Sequence, residues 1–143
     1  MALLEAFPLL ESEGFSQTSP ATGDYNCIAW AAARTDVAWW PDSQGIGYWP
    51  KSAPRVESLD AFYRAFESIG YSRCDGGDLE PGFEKVAFYA LAGQPKHAAR
   101  QLPDGSWTSK LGMHIDITHT LRGLEGPAYG QVNSFMKRRI GGS

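Results

Sequence analysis

Lys96-His97-Ala98-Ala99-Arg100-Gln101-Leu102-Pro103-Asp104-Gly105-Ser106-Trp107-Thr108-Ser109-Lys110-Leu111 decides the fold class. Two short extended runs, 96–102 and 107–111, flank Pro103-Asp104-Gly105-Ser106. Asp-Gly favours a tight hairpin, because the central turn positions need a positive φ that these residues tolerate. The two runs therefore pair antiparallel. A two-residue turn at Asp104-Gly105 sets Pro103 against Ser106 and His97 against Gly112, whereas a longer loop brings Ser109 beside His97.

The strand pattern extends in both directions. Lys85 to Ala90 is a short, mostly apolar run suited to a buried strand, and Gly93-Gln94-Pro95 turns the chain after it. Ile115 to Leu121 reads as a short helix closed by Gly123, and Tyr129 to Met136 as a final strand. Upstream the period changes. Leu59, Phe62, Tyr63, Phe66 and Ile69 recur at three- and four-residue spacing and predict one amphipathic helix. Ser58 caps it and Gly70 stops it. Helices followed by an antiparallel sheet make an α+β fold. One domain is expected over 1–143, with an irregular lead-in at 1–22 and a flexible end at 141–143.

Composition narrows the function. The 143 residues carry a net charge of -3, and their 43% apolar and 20% charged content suits an ordinary globular domain. No basic face is available for nucleic acid. The cluster Lys137-Arg138-Arg139 reads as a solvated tail. No apolar run approaches the roughly 20 residues that cross a membrane, so no membrane partner is expected. The opening residues lack a basic region, and Pro8 breaks their apolar run, so no export signal is read there. Cys27 and Cys74 are then free thiols in a reduced, cytoplasmic protein, although delivery as an effector without a signal peptide is also compatible. Cys74 lies in an exposed turn, Cys74-Asp75-Gly76-Gly77-Asp78, without ligand spacing, and is read as non-catalytic.

Gly23-Asp24-Tyr25-Asn26-Cys27-Ile28-Ala29-Trp30-Ala31-Ala32-Ala33 is a loop that turns at a cysteine into a small Ala-rich helix. Asp24 or Asn26 can cap it. Cys27 then lies in the first turn, where free N–H groups and the helix dipole favour a thiolate and lower its pKa. The plainer alternative is a small buried hydrophobe. The next segment, Trp39-Trp40-Pro41-Asp42 and Tyr48-Trp49-Pro50, carries four large aromatics on a Pro- and Gly-broken loop. They cap the core as a lid, or some line a cleft beside Cys27.

Of three histidines, His97 opens a strand beside small alanines. A cysteine at a helix start facing a histidine at a strand start makes a thiolate–imidazolium pair. His114 and His119, five apart around Asp116, suggest a metal pair, but no further ligand cluster supports it and no metal or cofactor is expected. The His-x-Glu and Pro-Cys-x-x-Cys pattern of zinc deaminases is absent.

Tyr25-Asn26-Cys27 opening a helix, His97 on a later strand, and a Gly-containing hairpin into the next strand resemble the NlpC-type cysteine peptidases, which are compact papain-like hydrolases. The likeness covers residues 23–112 by order and spacing. Those enzymes carry Asp-Cys-Ser or Asp-Cys-Gly where Asn26-Cys27-Ile28 stands, and His-Val-Gly-Ile-Tyr where His97-Ala98-Ala99-Arg100-Gln101 stands. The strings Tyr25 to Trp30 and His97 to Gln101 are similar to an uncharacterised bacterial branch. The resemblance implies a papain-like fold, Cys27 as nucleophile, His97 as base, and a histidine-orienting third position near Ser109. Asp116 or a backbone carbonyl is the alternative orienter. The backbone N–H of Cys27 supplies one oxyanion donor, and Tyr25 is a candidate for a second.

Two functions follow. One is a thiol hydrolase or acyltransferase on an amide, isopeptide or thioester of a peptide, protein or small amide, passing through an acyl-enzyme, with Trp39, Trp40, Trp49 and Trp107 as substrate-binding candidates. The other is a non-catalytic binding module on the same fold, using the aromatic loop Trp39–Trp49.

Overall fold

Seven antiparallel strands form one sheet in the spatial order β1-β6-β5-β4-β3-β7-β2 in the computed structural model, which describes residues 7–19, 25–34, 37–42, 44–111 and 115–140. The strands are β1 (Phe15–Ser19), β2 (Ser72–Cys74), β3 (Phe83–Leu91), β4 (Gln94–Gln101), β5 (Trp107–Lys110), β6 (Asp116–His119) and β7 (Gln131–Arg139). Among the described residues three α-helices accompany them: α1 (Leu10–Glu13), α2 (Cys27–Ala31) and α3 (Leu59–Glu67). A 3-10 turn, η1 (Arg122–Leu124), precedes β7. The α+β class is therefore that of the molecule.

The central strands of the sheet are buried on both sides, and strand alternation divides their residues between two cores. Val86, Phe88, Ala98 and Met136 face α2, α3 and the aromatic loop. Ala87, Tyr89, Ala99, Trp107 and Ile117 face α1, η1 and Tyr129. The stripe of α3 fills the first core: Phe62 and Phe66 are fully buried, each contributing roughly 1.5–3 kcal/mol by area removed from water. Ser58 accepts from Ala61 N–H at 3.2 Å and caps α3. Gly70, at φ 99, lets the chain leave α3 for Tyr71. α2 is held at its start by Asn26 and at its end by Ala33 at φ 63, beyond which Arg34 N–H returns to Ala29 O at 2.8 Å.

The hairpin differs from a two-residue turn. Gln101 pairs with Trp107, and Leu102 N–H donates to Ser106 O at 2.7 Å. The loop is thus Pro103-Asp104-Gly105, with Gly105 at φ 91 and Asp104 accepting from Ser106 N–H. One extra residue in the loop shifts the register by one, and a one-residue shift exchanges the faces of a strand. Ser109 consequently lies on the face of His97. The expected opposite residue, Gly112, lies outside the described residues, as do Asp24 and His114.

Four expectations are corrected. Residues 116–119 form a strand, because Asp116 and Thr118 alternate with Ile117 and His119 between β5 and β1. The lead-in is not irregular over 10–19, where α1 and the edge strand β1 lie. Cys74 ends β2, paired with Phe135 of β7, before the turn begins. Lys137-Arg138-Arg139 is no tail: it completes β7, where Lys137 bonds Glu80 at 2.7 Å and Arg138 pairs with Glu84. Among the described residues, no helix is long and apolar enough to cross a membrane.

Candidate active site

Asn26 builds the start of α2. Its Oδ1 accepts from Ala29 N–H at 3.1 Å and from Trp39 N–H at 2.9 Å, while its Nδ2 donates to Trp39 O at 2.8 Å. One amide therefore caps the helix and clamps the aromatic loop onto it. Cys27, the next residue, is 7% exposed and packs in the core that holds Ile28, Trp39 and Ala98. Burial pushes its thiol up to about 11, against the pull of the N–H groups of Ala98, Ile28 and Cys27 itself and of the Lys110 charge. The expected lowering at the helix start does not occur, because loss of water outweighs those N–H groups.

His97 is fully buried on the other face of β4. Its ring stacks on Tyr129, with centroids 4.1 Å apart and planes 6° apart, and meets the edge of Tyr89 at 5.4 Å. Nε2 lies 2.8 Å from Ser109 Oγ, and Nδ1 is buried with no hydrogen-bond partner. Burial, with the neighbouring His119, holds its pKa well below the ordinary value. The structure thus brings Ser109 to His97 and does not join the Cys27 sulfur to the ring. The two lie on either side of β4, at its fourth and fifth residues: the N–H of Ala98 reaches the sulfur, and Tyr129, its hydroxyl pKa pushed up by burial and then by Cys27, stacks on the imidazole. The resting groups are a neutral thiol and a neutral imidazole, not an ion pair.

Ser109 bridges two histidines. Its Oγ also lies 2.7 Å from His119 Nε2, and His119 Nδ1 lies 2.6 Å from Thr120 O. His119 is pulled down to about 4, by burial against a small opposing effect of that carbonyl. A groove of about 450 Å³ runs beside it, bordered by Phe15, Trp107, Thr118 and Leu121. Among the described residues no group of three His, Cys, Asp or Glu side chains could hold a metal.

Asp116 does not orient His97. It faces the Cys27 side of the sheet, where Tyr25 donates its hydroxyl to Oδ2 at 2.7 Å, and its Oδ1 is buried with no partner. Tyr25 therefore has its proton committed to a carboxylate and does not offer it to an oxyanion. Lys110 is fully buried on that side, with Nζ 5.2 Å from the Tyr25 ring centroid. Burial lowers its pKa, while Asp116 and Cys27 raise it.

The aromatic candidates divide. Trp39 and Trp49 are 1% and 4% exposed and cap the core, with Trp49 Nε1 donating to Pro54 O. Their lid role explains the burial, and neither presents a face to a ligand. Trp40 is half-buried and bonds Glu57 at 3.2 Å. Trp107 lies on the opposite sheet face, in the groove beside His119. Sequence reasoning missed Lys110, Tyr129 and the link from His119. Strand alternation across Ser109-Lys110 was the available signal, since it sends adjacent polar residues to opposite faces.

A family model described as a domain of unknown function, DUF7689, matches residues 16–137. The chain is also 32% identical over 77 residues to the phenylalanine–tRNA ligase alpha subunit of Phenylobacterium zucineum (strain HLK1), a match over 54% of this chain and 20% of that protein. It thus spans about a fifth of the curated relative's length. No solved structure matches.

Proposed function

The chain belongs to the DUF7689 family, and we propose that it is a thiol-dependent hydrolase or acyltransferase of papain-like type, acting on an amide, isopeptide or thioester. The observation that carries this reading is His97 Nδ1, a buried ring nitrogen with no partner, one residue before the β4 N–H that reaches Cys27. A buried polar atom without a partner is costly, and a catalytic role is one explanation of such an exception. Because both groups rest neutral, the thiol proton leaves as the sulfur attacks. Sγ adds to the carbonyl carbon, its proton passes to His97 Nδ1, and the oxyanion takes the N–H of Cys27, with the Lys110 charge nearby. His97 returns the proton to the leaving amine or thiol, and the acyl group is released to water or an amine. Attack requires the middle of β4 to yield, so that Nδ1 and the sulfur meet. Among the described residues β4 pairs with β5 at Arg100 and Gln101, while His97, Ala98 and Ala99 pair with Tyr89, Phe88 and Ala87 of β3 on the other side.

The test is alkylation by iodoacetamide with peptide mapping. Labelling of Cys27 at pH 7 that falls roughly 10-fold or more in His97→Ala supports the enzyme. Labelling of Cys27 that is unchanged in His97→Ala refutes it.

A second reading has its own observation. The thiol at about 11, set in an apolar core without a bond to the imidazole, is what a structural cysteine looks like. On this reading the fold is a binding module, and among the described residues its surface on the aromatic loop includes Tyr48, Ile46 and the half-buried Trp40, since Trp39 and Trp49 are buried. Cys27→Ser then leaves function intact.

A further inference from the structure

We infer that His119 is a positioning residue for His97, and that a chain of hydrogen bonds from the Thr120 carbonyl through His119 and Ser109 fixes which nitrogen of His97 carries the proton. The inference rests on His97 acting as the base in the reaction proposed above.

The argument starts from what each atom can do. A carbonyl oxygen only accepts, so His119 Nδ1, 2.6 Å from Thr120 O, carries a proton and donates it. His119 is buried and neutral near pH 7, since its pKa is pulled down to about 4. A neutral imidazole has one N–H, so His119 Nε2 is an acceptor. Ser109 Oγ, 2.7 Å away, then donates its single proton to that nitrogen. Having donated, the hydroxyl can only accept from its second neighbour, His97 Nε2, at 2.8 Å. His97 Nε2 is therefore the protonated nitrogen. His97 is also neutral, because burial and the neighbouring His119 hold its pKa down. Nδ1 is left with a bare lone pair, and this is the atom without a partner.

The polarity of the whole chain is thus set by one backbone carbonyl, and its far end is a base ready to take a proton. Without the constraint, Ser109 can rotate and donate to His97 Nε2, which moves the His97 proton to Nδ1 and removes the base. Stacking on Tyr129 at 4.1 Å holds the plane of the ring but does not choose between its nitrogens. The choice falls to His119. Its own ring is 4% exposed, beside the groove that Phe15, Trp107 and Leu121 border.

The test is long-range proton–nitrogen NMR correlation on the full chain with labelled histidine at pH 7, assigned with His97→Gln. Wild type is expected to show His97 with Nε2 protonated and Nδ1 bare. His119→Phe is expected to shift His97 toward the Nδ1-protonated form and to slow Cys27 alkylation by roughly 10-fold or more, in keeping with loss of a general base. Ser109→Ala is the second variant, for use if His119→Phe fails to fold, and it releases the tautomer in the same way. A wild-type His97 protonated at Nδ1 or on both nitrogens overturns the inference. So does an unchanged tautomer in the folded variant. The two readings separate cleanly. If the tautomer behaves as stated while labelling of Cys27 is unchanged in His97→Ala, the relay stands and the hydrolase falls. If labelling of Cys27 depends on His97 and the tautomer ignores His119, the relay alone falls.

Discussion

Cys27 shows two rules acting in opposite directions on one atom. A helix start favours a thiolate, but that effect is worth roughly 0.3–1 kcal/mol at surface sites. α2 has only five residues, so its dipole is short. Burial acts the other way, and the thiol moves from 9.0 to about 11, a net cost to the thiolate of about 3 kcal/mol. Desolvation wins. The consequence is a pH profile unlike that of an activated cysteine. Alkylation of Cys27 in the folded protein is expected to climb steadily from pH 7 through pH 10, levelling only near the thiol's value of about 11. A plateau near neutrality, measured by mass spectrometry of the Cys27 peptide, would contradict the structure's account of this thiol. The lesson for reading sequence is specific: the cap and the helix were legible at Asn26-Cys27, but the depth of the sulfur depends on Trp39 and Ala98, which only the fold brings there.

Elements with a strong local period were legible, and those made by their neighbours were not. α3 carries its stripe and both of its end signals within 58–70, so its reading needed nothing else. β6 is the opposite case. Four residues, Asp116 to His119, hold no helix together, and they become a strand because β5 on one side and β1 on the other complete their hydrogen bonds. The same holds for β1, an edge strand defined by its partner. The hairpin was read correctly as a hairpin, yet its loop of three residues rather than two decided whether Ser109 shared a face with His97. Two expected outcomes concern the joints between elements. Asn26→Ala removes the cap of α2 and both bonds to Trp39, and should cost about 2 kcal/mol, a cap of roughly 1 plus the clamp. Urea unfolding measures it, and a loss below half of that would show that the clamp contributes nothing. Gly130, at φ 76 where the chain enters β7, has Ala90 O only 2.0 Å from where a Cβ would lie. Gly130→Ala should therefore destabilise by at least about 2 kcal/mol, from the φ penalty and the displaced β3 backbone. An unchanged urea midpoint would refute that packing.

The molecule centres on a sheet whose middle strands are buried on both faces, and it buries ionisable groups in both. On one side Lys110 and Asp116 face each other across β5 and β6 beside Tyr25. On the other, His97 and His119 share Ser109. The histidine side makes stability depend on acid in a defined window. His119 titrates at about 4 in the fold, against an ordinary 6.5, and His97 is displaced in the same direction. A depressed histidine means that the unfolded chain takes up protons the folded chain refuses. Stability is then complete above pH 6.5 and falls as the pH drops toward 4, by about 3 kcal/mol for His119 alone. Acidic groups with lowered pKa values, such as Asp42, Glu80 and Asp104, act with the same sign but only below their ordinary values of 3.8 to 4.5. The interval from 6.5 to 4.5 therefore belongs to the histidines. Urea midpoints measured across it should fall steeply in the wild type and noticeably less in His119→Gln, even though that variant starts from a lower value at pH 7. Equal slopes in the two proteins would mean that the buried pair is not what the acid attacks.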